Sequence, residues 1–339
     1  MPIQELISYV GILFLMMVPG IILKKYNLVP DGFGKGLSNL ILYIAQPALI
    51  VAAYLSSTST IAQIWKNALL VLLYSVIAHI LFALVARLFY KHTPIDRAGM
   101  LRFATVFSNA AFMGIPLIKE IFGAEAAIYA SIYNITFNLF LWTLGVHYCT
   151  DRGEDHDGDG DSDIQDRLIH LKKETKAQSS LLRVLLHPVT LASFIGIIFL
   201  ATGVKLESFE VIKLGVLAQG ITMLSNLVAP LSMVVIGLRL PEISWRGLHR
   251  DIPMWYFLLL RHIVLPFAVL LLCKLPGLFG LPLPEIVSAV IVIMASAPAA
   301  TSATMFAEKY NCDAVYVSRI VAVSTLLCIV TMPLIALAL

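Results

Sequence analysis

Charge is what this sequence has least of. Only 13% of its 339 residues are Asp, Glu, Lys or Arg, where a soluble domain carries about 25%. Hydrophobic residues make up 59%, and the mean hydropathy is +0.87. A soluble domain of this length cannot bury so much apolar surface, so the matching solvent is lipid. That excludes soluble enzymes and nucleic-acid binders, and it makes membrane lipids the expected surroundings. Cysteine is scarce too. Cys149, Cys273, Cys312 and Cys328 stand singly with no CxxC pair, so they read as apolar filler and not as a disulfide framework or zinc site. No GxxxxGK[ST] occurs, so nothing supports ATP-driven pumping. HExxH and GxSxG are missing as well, which leaves proteolysis and hydrolysis without a motif. No cofactor is implied, and the chain reads as a non-enzyme.

What is present is a series of long apolar runs, at roughly 6–23, 37–56, 67–89, 100–118, 126–149, 185–203, 214–238, 252–273, 285–306 and 314–338. Ten spans of about 20 residues would take roughly 200 residues, which suits the composition. The first run lacks a basic n-region and an A-x-A site, so it is expected to stay in the mature protein. Lys and Arg divide unevenly between the loops. Seventeen fall after odd-numbered runs, while Lys66, Lys119, Lys205, Lys213 and Lys274 fall on the other side. Positive loops stay inside. The expected topology is therefore a multi-pass plasma (inner) membrane protein with both termini outside and a cytoplasmic central loop.

The second half matches the first at a nearly constant offset. Gly20 meets Gly203, Pro47 meets Pro230 and His79 meets His262, each 183 residues on. Ala127–Ser131 meets Ala314–Ser318 at 187. Five spans per copy is an odd number, so the copies must lie upside down relative to each other, a common build for secondary transporters. The expected division is a first repeat at 1–150, a linker at 151–184 and an inverted repeat at 185–339.

The fourth and ninth runs are unusual. Ser108-Asn109-Ala110-Ala111-Phe112-Met113-Gly114-Ile115-Pro116 and Ser296-Ala297-Pro298-Ala299-Ala300-Thr301-Ser302 cluster small and polar residues beside a mid-membrane proline. Proline removes an amide donor and clashes with the carbonyl four residues back. Two broken helices would expose backbone at membrane depth, which is tolerated only where it lines a cavity or is buried in protein. A kinked small-residue packing face is the alternative.

Asn109 through Leu117, N-A-A-F-M-G-I-P-L, resembles the crossover motif of auxin efflux carriers. Phe306–Asn311 is similar to the segment closing the ninth helix in plant PIN-FORMED carriers. Ala45-Gln46-Pro47, and Arg261 with Pro266, fit the same pattern more loosely. The resemblance covers 1–150 and 185–339. It implies an all-α polytopic membrane protein of ten transmembrane helices in two inverted five-helix repeats. Broken helices 4 and 9 would cross, as in the NhaA- and bile-acid-symporter-like elevator folds. Helices 1, 2, 6 and 7 would form a scaffold that dimerises, and helices 3–5 and 8–10 a transport domain. The implied activity is carriage of a small organic anion, such as malate, malonate or an auxin-like carboxylate. The roughly 35-residue central loop departs from the long hydrophilic loop of many plant members, so their kinase-type regulation does not carry over.

The substrate-binding residues expected on these grounds are Ser108, Asn109, Gly114, Pro116, Pro298, Thr301 and Ser302. Asn134 and Asn138 join them, because they lie at i, i+4 on one helix face. They could equally bond between helices. Arg261 lies near mid-membrane, where a charge needs a partner or a function. It either attracts an anion or forms a structural pair with backbone carbonyls or a carboxylate on a neighbouring helix. His79 and His262 are candidates for proton coupling, or else buried neutral imidazoles. Arg319 lies close enough to the interface to snorkel. In the linker, Asp155, Asp157, Asp159, Asp163 and Asp166 approach calcium-loop spacing with Gly160 at position 6. Ser162 at position 8 and Asp166 at position 12 break the pattern, and a solvated acidic linker explains it as well.

The leading function is secondary transport by alternating access. A membrane receptor or sensor, or a channel, is the alternative. A sensor normally carries a folded cytoplasmic domain larger than this linker. The topology has its own test. In a variant free of native cysteines, a single cysteine at the C-terminus should react with an impermeant maleimide in intact cells. Labelling only after permeabilisation would reverse the orientation.

Overall fold

The computed structural model describes residues 3–91, 93, 95–150, 186–205, 215–242 and 250–339. The acidic calcium-loop candidate and the rest of the 151–184 linker lie outside them. The described residues are helical, and a single isolated β-bridge is the one piece of β structure among them. Helix α1 covers Ser8–Lys25, its first turns beginning at Ile3. It is followed by α2 (Phe33–Leu55), α3 (Ile61–Phe89), α4 (Ile95–Val106), α5 (Ile115–Phe140) and α6 (Val146–Thr150). After the linker come α7 (Pro188–Thr202), α8 (Gly215–Arg239), α9 (Ile252–Phe279), α10 (Glu285–Ser296), α11 (Ser302–Lys309) and α12 (Ala314–Ala336).

Six of these, α1, α2, α3, α8, α9 and α12, are long and apolar enough to cross a membrane unaided. The other apolar runs are interrupted or short. Run 100–118 is broken between α4 and α5, and run 285–306 between α10 and α11. Run 126–149 follows a sharp turn at Gly123, whose φ of 81° lies in the left-handed region that glycine tolerates. The corresponding turn after α11 uses Asn311 at φ 54°.

Three prolines explain three local distortions. Widened π turns occupy Ile41–Ala45 in α2, Ala110–Gly114 before α5 and Leu260–Val264 in α9. Each precedes a proline by two residues: Pro47, Pro116 and Pro266. The carbonyls four residues before them belong to Tyr43, Phe112 and His262, inside those turns. Proline offers them no N–H and crowds them with its ring, and opening the turn relieves the clash.

Packing is organised by small residues. Gly20 of α1 and Gly237 of α8 bring two backbones into contact. A Cβ on Gly20 would overlap Val234 O and sit 2.9 Å from Leu238 N, and one on Gly237 would overlap Met17 O. Gly196 of α7 packs in the same way against the ring of Tyr54 on α2. Without a hydrophobic drive between helices in lipid, such close approach supplies dispersion contact. On the other side, α10 packs on α5, α9 and α12, and α3 packs on α5. The four cysteines are free, and Cys149, Cys273 and Cys328 are buried.

The glycine contact generates a stability prediction. Gly20→Ala or Gly237→Ala forces the α1–α8 backbones apart and should cost about 1–3 kcal/mol, seen as a lowered melting temperature in detergent. Gly36→Ala, where a Cβ meets open space, should leave the melting temperature within error. Equal effects at all three positions would show that backbone proximity is not what these glycines provide.

Candidate functional site

The two helix breaks meet. Chain 107–109 runs antiparallel to 297–301, with Ser108 opposite Ala299. The Asn109 N–H donates to Pro298 O at 2.7 Å, and the Ala300 N–H donates to Phe107 O at 2.9 Å. The Ala299 N–H donates to Ser324 Oγ at 2.9 Å. Lipid offers no water to satisfy a broken backbone. Here each break supplies the partners that the other lost.

The breaks also sort the helix ends by charge. Helix C-termini end in free carbonyls and carry negative partial charge. The ends of α4 and α10 converge on Arg261, which is fully buried. Its Nη1 donates to Thr105 O at 3.1 Å. Nη2 donates to Ala295 O at 3.0 Å and Ala297 O at 2.6 Å, and Nε donates to Ala297 O at 3.1 Å. The guanidinium also stands 5.8 Å from the Phe82 ring centroid. A buried charge in lipid is tolerable because four charge-assisted bonds and an aromatic face replace its hydration.

The N-terminal ends point the other way, into a cavity of about 420 Å³. Asn109, Ala111 and Phe112 line it from the first break, and Ala300, Thr301 and Ser302 from the second. Helix α2 adds Lys35, Asn39, Tyr43 and Gln46 from one face, and α5 adds Asn134, Phe137 and Asn138. Trp142, His187, Glu308 and Lys309 also line it. First-turn amides have no partner within their own helix and present a positive dipole end.

The cavity collects unpaired polar atoms. Eleven buried side-chain N or O atoms lack a hydrogen-bond partner among the described residues, and seven of them belong to cavity-lining residues. These are Gln46 Oε1, Asn109 Nδ2, Asn134 Oδ1, Asn138 Nδ2, Trp142 Nε1, His187 Nδ1 and Ser302 Oγ. Buried polar atoms are normally bonded, so a cluster of orphans around one space points to something polar that fills it. Asn109, Asn138 and Trp142 contribute N–H donors. Two lysines stand against a single carboxylate, Glu308, which already lies 3.6 Å from Arg239 Nη1. The site is therefore richer in donors and positive charge than in acceptors.

Among the residues singled out from sequence, Ser108, Asn109, Asn134, Asn138, Thr301 and Ser302 line the cavity. Gly114, Pro116, Pro298 and Arg261 do not. Pro298 gives its carbonyl to Asn109, and Gly114 lets Met294 approach, since a Cβ there would lie 2.7 Å from its sulfur. Arg261 takes the second of its two sequence readings, a partner of backbone carbonyls, because its donors are spent behind the crossover. The histidines lie outside the cavity as well. His79 Nδ1 is 2.7 Å from Ser75 O, and its ring stacks on Phe140 at 5.2 Å. His262 Nε2 lies 2.8 Å from Ser324 Oγ, and Nδ1 lies 3.0 Å from Thr331 Oγ1. The Thr331 hydroxyl donates to Leu327 O at 3.2 Å, so Thr331 accepts from Nδ1–H, and Ser324, which accepts from Ala299, donates its own proton to Nε2. His262 thus braces the second break through Ser324.

Sequence reasoning missed Gln46, Trp142, His187 and the two lysines as cavity residues. Trp142 was within reach, four residues past Asn138 on the same helical face. Gln46, a polar residue inside an apolar run and next to Pro47, carried the same kind of signal as Asn109. His187 and Lys309 carried none, because only the fold brings them to the rim. Among the described residues no group of three or more His, Cys, Asp or Glu side chains could hold a metal ion.

The family model described as "membrane transport protein" matches residues 6–336. An uncharacterized transporter of Methanocaldococcus jannaschii is 23% identical over 321 residues, covering 93% of this chain and 92% of that protein. An uncharacterized transporter of Methanothermobacter thermautotrophicus is 24% identical over 331 residues, covering 96% of each chain.

The clamp at Arg261 has a direct test. Arg261→Met leaves three buried carbonyls without donors, each costing about 1–3 kcal/mol. The variant should melt far below the parent or fail to leave the membrane folded. Arg261→Lys keeps the charge but cannot fork between carbonyls, so it should recover only part of the loss. A parental melting temperature for Arg261→Met would rule out the clamp.

Proposed function

The chain belongs to the membrane transport protein family, that of the auxin efflux carriers, and on that premise we propose that it is a secondary transporter of a small organic anion. The substrate is a carboxylate of the size of malate or malonate, or an auxin-like acid, and it binds at the crossover. The observation that carries this reading is the polarised pair of breaks: N-terminal helix ends and orphan donors surround the cavity, while the C-terminal ends are neutralised behind it by Arg261. Backbone amides attract an anion without a full fixed charge, so the substrate can also leave. Asn109, Ser108, Thr301 and Ser302 orient its carboxylate. Lys35, Glu308 and Lys309 at the rim sit at the helix ends that the charge count assigns to the cytoplasm, so the cavity faces inward in this state. In the alternating-access cycle, the body of α3–α6 and α9–α12 slides as an elevator against α1, α2, α7 and α8. Ten spans in two inverted repeats give that body its two equivalent end positions.

Proteoliposome uptake across a panel of carboxylates, with imposed pH, sodium and voltage gradients, tests the transport reading. Saturable uptake of at least one carboxylate is expected. Uptake of none of them would sink it. Asn109→Ala removes one or two hydrogen bonds to a charged ligand, roughly 1.5–3 kcal/mol each. Affinity should fall at least about tenfold with little change in melting temperature. Unchanged affinity with a lowered melting point would make Asn109 a packing residue instead.

A further inference from the structure

A second cavity, of about 510 Å³, opens on the outer surface between α3, α4 and the α5–α6 stretch. It shares no lining residue with the crossover cavity. Its two ends differ in chemistry. One end is an apolar trough, walled by Ile80 and Leu84 of α3 and by Leu144. Ile80 and Leu84 are 46% and 55% exposed, as suits a surface in contact with acyl chains. The other end holds Arg87, Arg102 and Tyr148. Arg87 lies in the last turn of α3, two residues from its end, and so at headgroup depth. Ile80 to Arg87 spans about 10 Å at 1.5 Å per residue, enough to seat the upper half of one acyl chain.

Neither arginine is paired with a carboxylate among the described residues. Among the described residues Arg102 donates to the Tyr90 carbonyl alone, through Nη2 at 3.3 Å, and its Nε is buried with no partner there. A guanidinium in this state is incomplete, and a phosphate offers the planar two-oxygen edge that completes it. The charge count puts this end on the cytoplasmic side. Basic pockets between membrane helices on that side recognise anionic lipid headgroups.

We infer that the groove between α3, α4 and α5–α6 is a binding site for one anionic phospholipid, its phosphate held by Arg87 and Arg102 and one acyl chain laid along Ile80, Leu84 and Leu144. The two charges select an anionic head over a zwitterionic one. The trough selects a lipid over a free phosphate.

Native mass spectrometry and thermal unfolding of the full-length protein in neutral detergent test this. Phosphatidylglycerol and phosphatidylcholine with the same acyl chains are the probes, and glycerol 3-phosphate serves as a phosphate without acyl chains. Phosphatidylglycerol should be retained and should raise the melting temperature, and the other two should not. Arg87→Gln and Arg102→Gln should each weaken retention about fivefold, and together about 25-fold, at roughly 1 kcal/mol per charge. Lys25→Gln, elsewhere on the same side, should not. Arg87 is exposed, so Arg87→Gln stays informative even if Arg102→Gln fails to fold, and Arg87→Lys should restore most of the retention. Parental retention in Arg87→Gln, equal retention of phosphatidylcholine, or full stabilisation by glycerol 3-phosphate alone would each overturn the proposal.

Discussion

The structure depends on one exchange of hydrogen bonds between two broken backbones. Breaking a helix in lipid strands several N–H and C=O groups, and water is not there to receive them. A single break would be prohibitive on its own. Two breaks side by side are not, because Asn109 donates to Pro298 and Ala300 donates to Phe107. The carbonyls left over converge on Arg261, and the amides left over face the cavity. Much of the remaining structure brings those two segments together and keeps them so. His262 reaches the second segment through Ser324, and the π turns before Pro116 and Pro266 set how α5 and α9 approach.

Much of this architecture was legible in the sequence. The apolar runs and the missing charge led to the membrane, and the two small-residue stretches beside Pro116 and Pro298 led to the breaks. The consequences of each proline were less legible. A π turn needs the carbonyl four residues back to find its new partner, and that is a local matter of geometry, not of composition. At the site, Asn109, Asn134 and Asn138 could be found because polar side chains in apolar runs stand out. Arg261 stood out for the same reason, but sequence could not say which way it pointed. Its partners are main-chain carbonyls of Thr105, Ala295 and Ala297, and a main-chain acceptor leaves no trace in side-chain identity. The same blindness hid His187 and Lys309, which reach the rim only through tertiary structure.

Within the two broken segments the crossover is held through main-chain atoms, which pair with one another and with the side chains of Arg261 and Ser324. Residues 105, 107, 295, 297 and 298 contribute carbonyls, and residues 109, 299 and 300 contribute amides. Side chains at 108, 109, 301 and 302 turn instead toward the cavity. Integrity and recognition are thus written in different atoms of the same short stretches. A substitution at a cavity-facing position can change which molecule is welcomed while leaving the joint intact. A lineage built on this centre could move from one ligand to another by exchanging a few side chains, with no intermediate that has to refold.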